Sequence, residues 1–236
     1  MQPNRETFAK SRETTFDAGL QAYMQRVYNV MASGLVVTGL VAYMTSQTPA
    51  LFAAVHGSIL GIVIALAPLG IIFFGLTPSK VSRMSTTGVN TLYYLLTGLI
   101  GLSMSYVFAV YSGESIARVF FITAGMFSAT SIYGYTTKKD LSGMGSLLMM
   151  GLIGLIIAMI VNWFLQSTMM QFIISGVGVI VFTGLTAWDT QRIKQTYSAA
   201  YDRSSMLKLA TMGALSLYID FINLFQFLIQ LLGNRN

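Results

Sequence analysis

Seven stretches of about twenty apolar residues run through this chain, near 27–45, 54–76, 89–111, 116–135, 145–165, 171–190 and 211–232. A run of that length, coiled as a helix, matches the hydrocarbon thickness of a bilayer, where every backbone polar group must find its partner inside the protein. Only 9% of the residues are charged and 54% are hydrophobic, against about 25% charged in a soluble domain. The expected fold is all-α, a polytopic membrane protein with seven transmembrane helices. Residues 27–236 form the bundle and residues 1–26 a polar leader. The leader lacks the basic, apolar and small-residue regions of a secretory signal, so it reads as an ordinary tail.

The connectors, such as "TSQTPA", "SGES" and "TTKKDLSGMG", are too short to fold as domains. They also alternate in charge. Twelve of the fourteen Lys and Arg precede the first span or follow the second, fourth and sixth, leaving Arg118 and Arg235 for the other side. The positive-inside rule then predicts a cytoplasmic N-terminus and, after seven crossings, an external C-terminus. Because the net charge of +6 is spread over separate short loops, it reflects topology and lipid rather than nucleic acid as a partner. Cysteine is absent, which excludes disulfides, thiolate metal sites and cysteine nucleophiles, and no resident cofactor is expected.

Two further features concern packing. Gly151 and Gly154 in "GLIGLIIA", and Gly176, Gly178 and Gly184 in "SGVGVIVFTGLTA", are expected to let helix backbones approach closely. Pro68 in "IALAPLGIIFF" removes a backbone hydrogen bond and is expected to kink the second span.

Of the eight acids, Glu6, Glu13, Asp17, Glu114, Asp140 and Asp202 fall in the leader or loops and read as solvated charges. Asp189, in "FTGLTAWDTQRIKQ", lies at the inner end of the sixth span, and Asp220, in "SLYIDFINLFQFLIQLL", lies inside the seventh. The two belong to the same half of one helical hairpin. At 100° per residue Ser216, Asp220, Asn223, Gln226 and Gln230 fall on one face of the last helix. Such a stripe is disfavoured against lipid, because each unpaired polar group there costs kcal/mol. The last helix is therefore expected to be central, surrounded by the other six, with Ser216, Asn223, Gln226 and Gln230 lining a cavity or path.

No Lys, Arg or His occupies the middle of a span, since His56 sits at an outer helix end. Asp220 is left with four ways to exist there: as a neutral carboxyl, with a bound cation, in a water-filled cavity, or hydrogen-bonded to Asp189. Their depths match if the sixth helix continues into "TQRIKQTY" or the seventh starts later than Thr211. Two carboxyls in contact cannot both ionise cheaply, so they share a proton and titrate as a unit. With the proton gone, two negative groups repel and offer oxygens to a hard cation such as Ca²⁺. The plainer reading is a neutral Asp220 that joins helices.

The segments "FTGLTAWDTQRIKQ" and "GALSLYIDFINLFQFLIQLLG", with "RVYNVMASGLVVTGLVAY" at the first span, resemble the signatures of the Bax inhibitor-1 family, also called the transmembrane Bax inhibitor motif family, over about residues 20–236. Short loops and a plain leader suggest a bacterial member, in the cytoplasmic (inner) membrane. The resemblance implies a seven-helix fold with a central last helix, and a pH-sensitive calcium leak channel sensed by two aspartates. Carried over by motif, these are Asp189 and Asp220, which would also hold Ca²⁺ transiently as the permeant ion. Family members use an Arg on the second helix as a latch to the helix 6 aspartate; here the candidates are Lys80 and Arg83, after Pro78. The "QTYSAAYDRSSM" loop stretches the spacing between the aspartates beyond the family pattern.

Other readings remain. A non-transporting membrane adaptor would modulate a membrane-bound AAA protease, a partner the resemblance implies for bacterial relatives. A proton-coupled cation transporter would also use a carboxylate pair, although no internal repeat is visible. Enzymatic activity is not expected: the "GxGD" of intramembrane aspartyl proteases is missing, and His56 lies at the wrong depth for a serine protease.

Overall fold

The structure, a computed structural model, describes the backbone of residues 5–235 and the side chains of residues 17–235. The leader charges Arg5, Glu6, Lys10, Arg12 and Glu13 fall outside the described side chains. The elements are α1 (Arg5–Gln47), α2 (Pro49–His56), α3 (Ile59–Gly70, continued by a π turn over Ile71–Gly75), α4 (Pro78–Arg83) and α5 (Thr86–Met104). They continue as α6 (Tyr106–Val110), α7 (Gly113–Thr136), α8 (Ser142–Leu165), α9 (Thr168–Thr196) and α10 (Arg203–Leu232). Six helices are long and apolar enough to cross a bilayer, counting α5 with α6, and the bent pair α2–α3 qualifies as a further broken span.

Polar residues start these helices, all but Ser58 in the predicted connectors. Ser58, Ser85, Ser112, Ser167 and Asp202 each accept a backbone N–H of the first turn of α3, α5, α7, α9 and α10, which satisfies donors that have no partner inside a helix. At Gly57–Ser58 two such devices stand back to back. Gly57 N–H closes α2 on Ala53 O, and Ser58 Oγ opens α3 by accepting Leu60 N–H. The chain turns there by 73°. The sharp bend of the second span is therefore at Gly57–Ser58 rather than at Pro68. Pro68 has a different effect, since the helix widens into the π turn just after it, with Leu76 N–H reaching Ile71 O at 2.8 Å.

The leader is not separated from the first span either. α1 is one helix of 43 residues, about 65 Å long and twice the depth of a bilayer core. Its Leu20, Tyr23 and Met24 are already buried, and Tyr23 packs on Tyr197 with ring centres 5.7 Å apart. The apolar spacing of these three residues joins them to the core.

Hydrogen bonds gather the basic linkers at one end of the bundle. Lys208 Nζ donates to Ser82 O at 3.0 Å, Lys194 Nζ to Tyr135 O at 2.8 Å, and Gln191 Nε2 to Lys139 O at 2.8 Å. α4, the α7–α8 linker and the α9–α10 linker thus share one end of the bundle, the basic end. The far end holds His56 against Ser105 Oγ at 2.8 Å, and the chain's last residues, where Ser112 N–H donates to Asn234 O at 3.2 Å.

α10 packs against α1, α5, α7 and α9, while α8 packs along α9 and α3 along α5. It is the most enclosed span, 61% buried over its apolar window against 11% for α8. The periphery is apolar: Trp163, Phe121 and Ile180 are at least 70% exposed. Surface of that kind is unsupportable in water over several helices but is satisfied by hydrocarbon. The chain is a membrane protein.

Close packing does not follow the expected glycines evenly. Gly178 lies under the Phe227 ring, Gly184 under Leu148 and Gly151 beside Val181, whereas Gly154 and Gly176 face open space. The tightest backbone approach between two of the long helices is at Gly134 of α7, where any Cβ would collide with the Ala187 carbonyl of α9. Sequence spacing finds small residues but not which of them meets a neighbour.

Candidate functional site

Asp189 and Asp220 meet between α9 and α10. α9 does continue to Thr196, and the six-residue linker 197–202 then carries the chain to an α10 that starts earlier than expected, at Arg203. The antiparallel pair is set by Gly213 seated against Ile193 and Gly178 against Phe227, which levels the two aspartates. Their carboxyl groups lie within hydrogen-bonding reach of each other. Asp189 is 9% exposed and Asp220 is 4% exposed, and Asp220 Oδ2 is buried without a protein donor. An ionised carboxylate only accepts hydrogen bonds, so a bond between two of them requires a proton on one.

The cation beside Asp189 comes from its own helix. Arg192 Nη1 is 3.8 Å from Asp189 Oδ1, with the arginine side chain 63% exposed and the aspartate side chain 13%. Its guanidinium also lies over the Trp188 ring, 5.4 Å from the centroid. At that length and exposure the ion pair is a weak one. Neither expected latch residue takes this place. Lys80 Nζ donates to Phe74 O at 2.7 Å, at the end of the bent span, and the only ion pair among the described residues is that of Arg192.

From the basic end a cavity of about 430 Å³ reaches Asp189, with Asp220 buried behind it. α9 contributes Asp189, Arg192 and Thr196, α10 contributes Lys208, Met212 and Ser216, and α4 contributes Val81 and Ser82. Beyond Asp220 side chains pack across the core. Tyr218 OH and Thr38 Oγ1 are 2.6 Å apart, Thr38 Oγ1 donates to Thr97 O at 2.9 Å, and Phe221 is held edge-on between Phe120 and Phe127, each 5.5 Å away.

Four of the five predicted stripe residues, Ser216, Asn223, Gln226 and Gln230, fall on the one half-open face of α10, whereas Asp220 is buried beside it. Between Ala210 and Gln230 every residue is buried except Met212, Ser216, Ile219, Asn223, Gln226 and Gln230, which recur at helical spacing. Ser216 lines the cavity, and Asn223 Nδ2 turns back to Ile219 O at 2.8 Å. Gln226 is half-buried, and Gln230 Oε1 accepts from Gln171 Nε2. Among the described residues no cluster of three or more His, Cys, Asp or Glu could hold a metal.

Two arrangements escaped the sequence reading. A hydroxyl chain joins three helices next to the pair: Tyr28 OH is 2.6 Å from Ser131 Oγ, which is 2.9 Å from Thr190 Oγ1, which donates to Thr186 O at 2.7 Å. The last step fixes the order, with Tyr28 donating to Ser131 and Ser131 to Thr190. An amide cluster at the far end brings Asn162, Gln171 and Ser175 to Gln230. The only signal was the presence of Asn162 and Gln171 at the edges of apolar segments.

The family profile described as "Inhibitor of apoptosis-promoting Bax1" matches residues 20–236. A protein of Caulobacter vibrioides is 47% identical over 237 residues, covering 96% of this chain and 94% of its own length. One from Rickettsia prowazekii is 46% identical over 228 residues, covering 95% and 94%. The inner membrane protein YbhL of Escherichia coli strain K12 is 42% identical over 224 residues, covering 92% and 94%. With an all-helical apolar body and a profile match from α1 to the end of α10, the chain belongs to the Bax inhibitor-1 family.

Proposed function

We propose that this protein is a pH-sensitive calcium leak of a bacterial inner membrane, gated by a proton shared between Asp189 and Asp220. In this reading the bent pair α2–α3 completes a seventh crossing, α10 is the central helix, the basic end is cytoplasmic and the C-terminus lies outside. The observation that carries the proposal is the contact of two buried carboxyls, of which Asp189 lines a cavity open to the basic end and Asp220 lies behind it.

While the proton is shared, the pair is bonded, carries one negative charge and closes the stripe at Ser216. Loss of the proton leaves two like charges in a medium of low dielectric, which drives the carboxyls apart. Separated, they present oxygens suited to Ca²⁺, the remaining ligands being water and backbone carbonyls. A site of two carboxylates binds such an ion weakly, as a conducting path requires. The inner-membrane name of YbhL supports the proposed location.

Reconstitution tests the proposal. Liposomes holding the purified protein and a Ca²⁺ dye should show a flux that rises with pH, and Asp220→Asn should abolish the pH response. A flux indifferent to pH and to the substitution would leave the adaptor for a membrane-bound protease as the better account.

A further inference from the structure

We propose that the far end of the α10 stripe is closed by a second gate, the uncharged cluster of Asn162, Gln171, Ser175 and Gln230, in series with the carboxyl pair. The inference rests on reading the stripe as an ion path.

Gln230 is the last polar position of the stripe, two residues before α10 ends at Leu232. Its Oε1 accepts from Gln171 Nε2 and from Ser175 Oγ, the latter at 3.0 Å. Gln171 Oε1 accepts from Asn162 Nδ2 at 3.1 Å, and Asn162 Oδ1 accepts Ser167 N–H at 3.1 Å in the α8–α9 turn. Three helices are thus joined across the end of the stripe by side chains that carry no charge. Ser175 is 1% exposed and Asn162 is 8% exposed, while Gln171 and Gln230 are half-buried, so the cluster spans the edge of the protein interior.

The other side of α10 is held as well. Arg118 Nη2 donates to Leu232 O at 3.3 Å, and Asn234 N–H donates to Ser115 Oγ at 2.9 Å. The end of α10 is clamped between the α8–α9 hairpin and the start of α7, whereas its basic end borders the open cavity. None of the four cluster residues titrates, so this closure answers to displacement and not to pH. When Gln171 and Gln230 part, their amide oxygens with Ser175 Oγ and Asn162 Oδ1 face the path, as ligands a hard cation accepts in place of water.

The chain contains no cysteine, which allows a test independent of calcium. Gln226→Cys places a thiol one turn below Gln230, and Ser216→Cys places one in the basic-end cavity. A membrane-impermeant thiol reagent applied at the far end should label the cysteine at 226 slowly. Adding Gln171→Leu should raise that rate about tenfold, the equivalent of losing hydrogen bonds within a membrane. Ser175→Ala should give a smaller rise, and labelling at 216 from the basic end should not change. Fast labelling at 226 with the cluster intact overturns the gate. So does an unchanged rate in a folded Gln171→Leu protein or, should that variant not fold, in Ser175→Ala. Labelling as predicted with no Ca²⁺ flux in any variant would retire the calcium reading and leave the gate standing.

Discussion

The Asp220 carboxyl on α10 meets the Asp189 carboxyl on α9 within hydrogen-bonding reach, and its Oδ2 is buried with no protein donor. A contact between two acceptor-only groups demands a proton. Asn in place of either aspartate supplies that donor permanently. Asp220→Asn and Asp189→Asn are each expected to hold Ca²⁺ flux in liposomes at its low-pH level over the whole pH range. The double variant should be no worse than either single one, because the pair acts as a unit. Additive losses would count against contact.

Gly134 and Gly154 make a paired test of packing. Gly134→Leu forces a side chain into the Ala187 carbonyl of α9, and overpacking of this kind costs about 1–3 kcal/mol. A Cβ at Gly154 meets nothing within 4 Å, and Gly154→Ala should fall within about 0.5 kcal/mol of neutral. Thermal unfolding in detergent should show a lowered midpoint for the first variant only.

The hydroxyl chain from Tyr28 through Ser131 to Thr190 fixes the stretch of α9 that carries Asp189. Tyr28→Phe and Ser131→Ala are each expected to cost about 0.6 kcal/mol, and at most about 1.7. The double variant should cost less than their sum, since both cut one chain. Chemical denaturation in mixed micelles measures this, and strict additivity would separate the two contacts.

Asp202 caps α10 outside the membrane, accepting N–H from Ser204 at 2.9 Å and from Ser205 at 3.3 Å. Hydrogen bonds from Ser205, and then Ser204, hold its carboxyl below the ordinary aspartate value. A depressed folded value means a contribution present above the unfolded value and lost as pH falls through the folded one. Amide exchange at Ser204 and Ser205 should therefore be protected at neutral pH and lose protection in acid. Asp202→Ala should remove the protection at every pH, and Asp202→Asn should keep it.

Span length was enough to find each of the six long helices, though not the starts of α1 and α10, and to bring Asp189 and Asp220 to one hairpin. Hydrocarbon permits few backbone solutions, and buried acids without cations stand out. The stripe on α10 was legible for the same reason, as a period of polar residues in an apolar run. What stayed hidden depends on pairs of elements. The break at Gly57–Ser58 comes from two caps meeting, and neither residue is unusual alone. Arg192 reads as a loop-edge cation until α9 is known to continue to Thr196, which places it one turn from Asp189. Tyr28, Ser131 and Thr190 are separated by long stretches of chain, and only the α1, α7 and α9 packing joins them. Lys80 and Arg83 were favoured by resemblance, but the turn after Leu76 aims Lys80 back at Phe74 O.

Infrared difference spectroscopy of the protein in lipid, titrated with acid and base, most directly tests whether Asp189 and Asp220 hold one proton jointly. The account predicts a single protonated-carboxyl band, lost in one step as pH rises and missing from both Asp220→Asn and Asp189→Asn. Two carboxylates titrating independently, or no protonated carboxyl at any pH where the protein is folded, would contradict it.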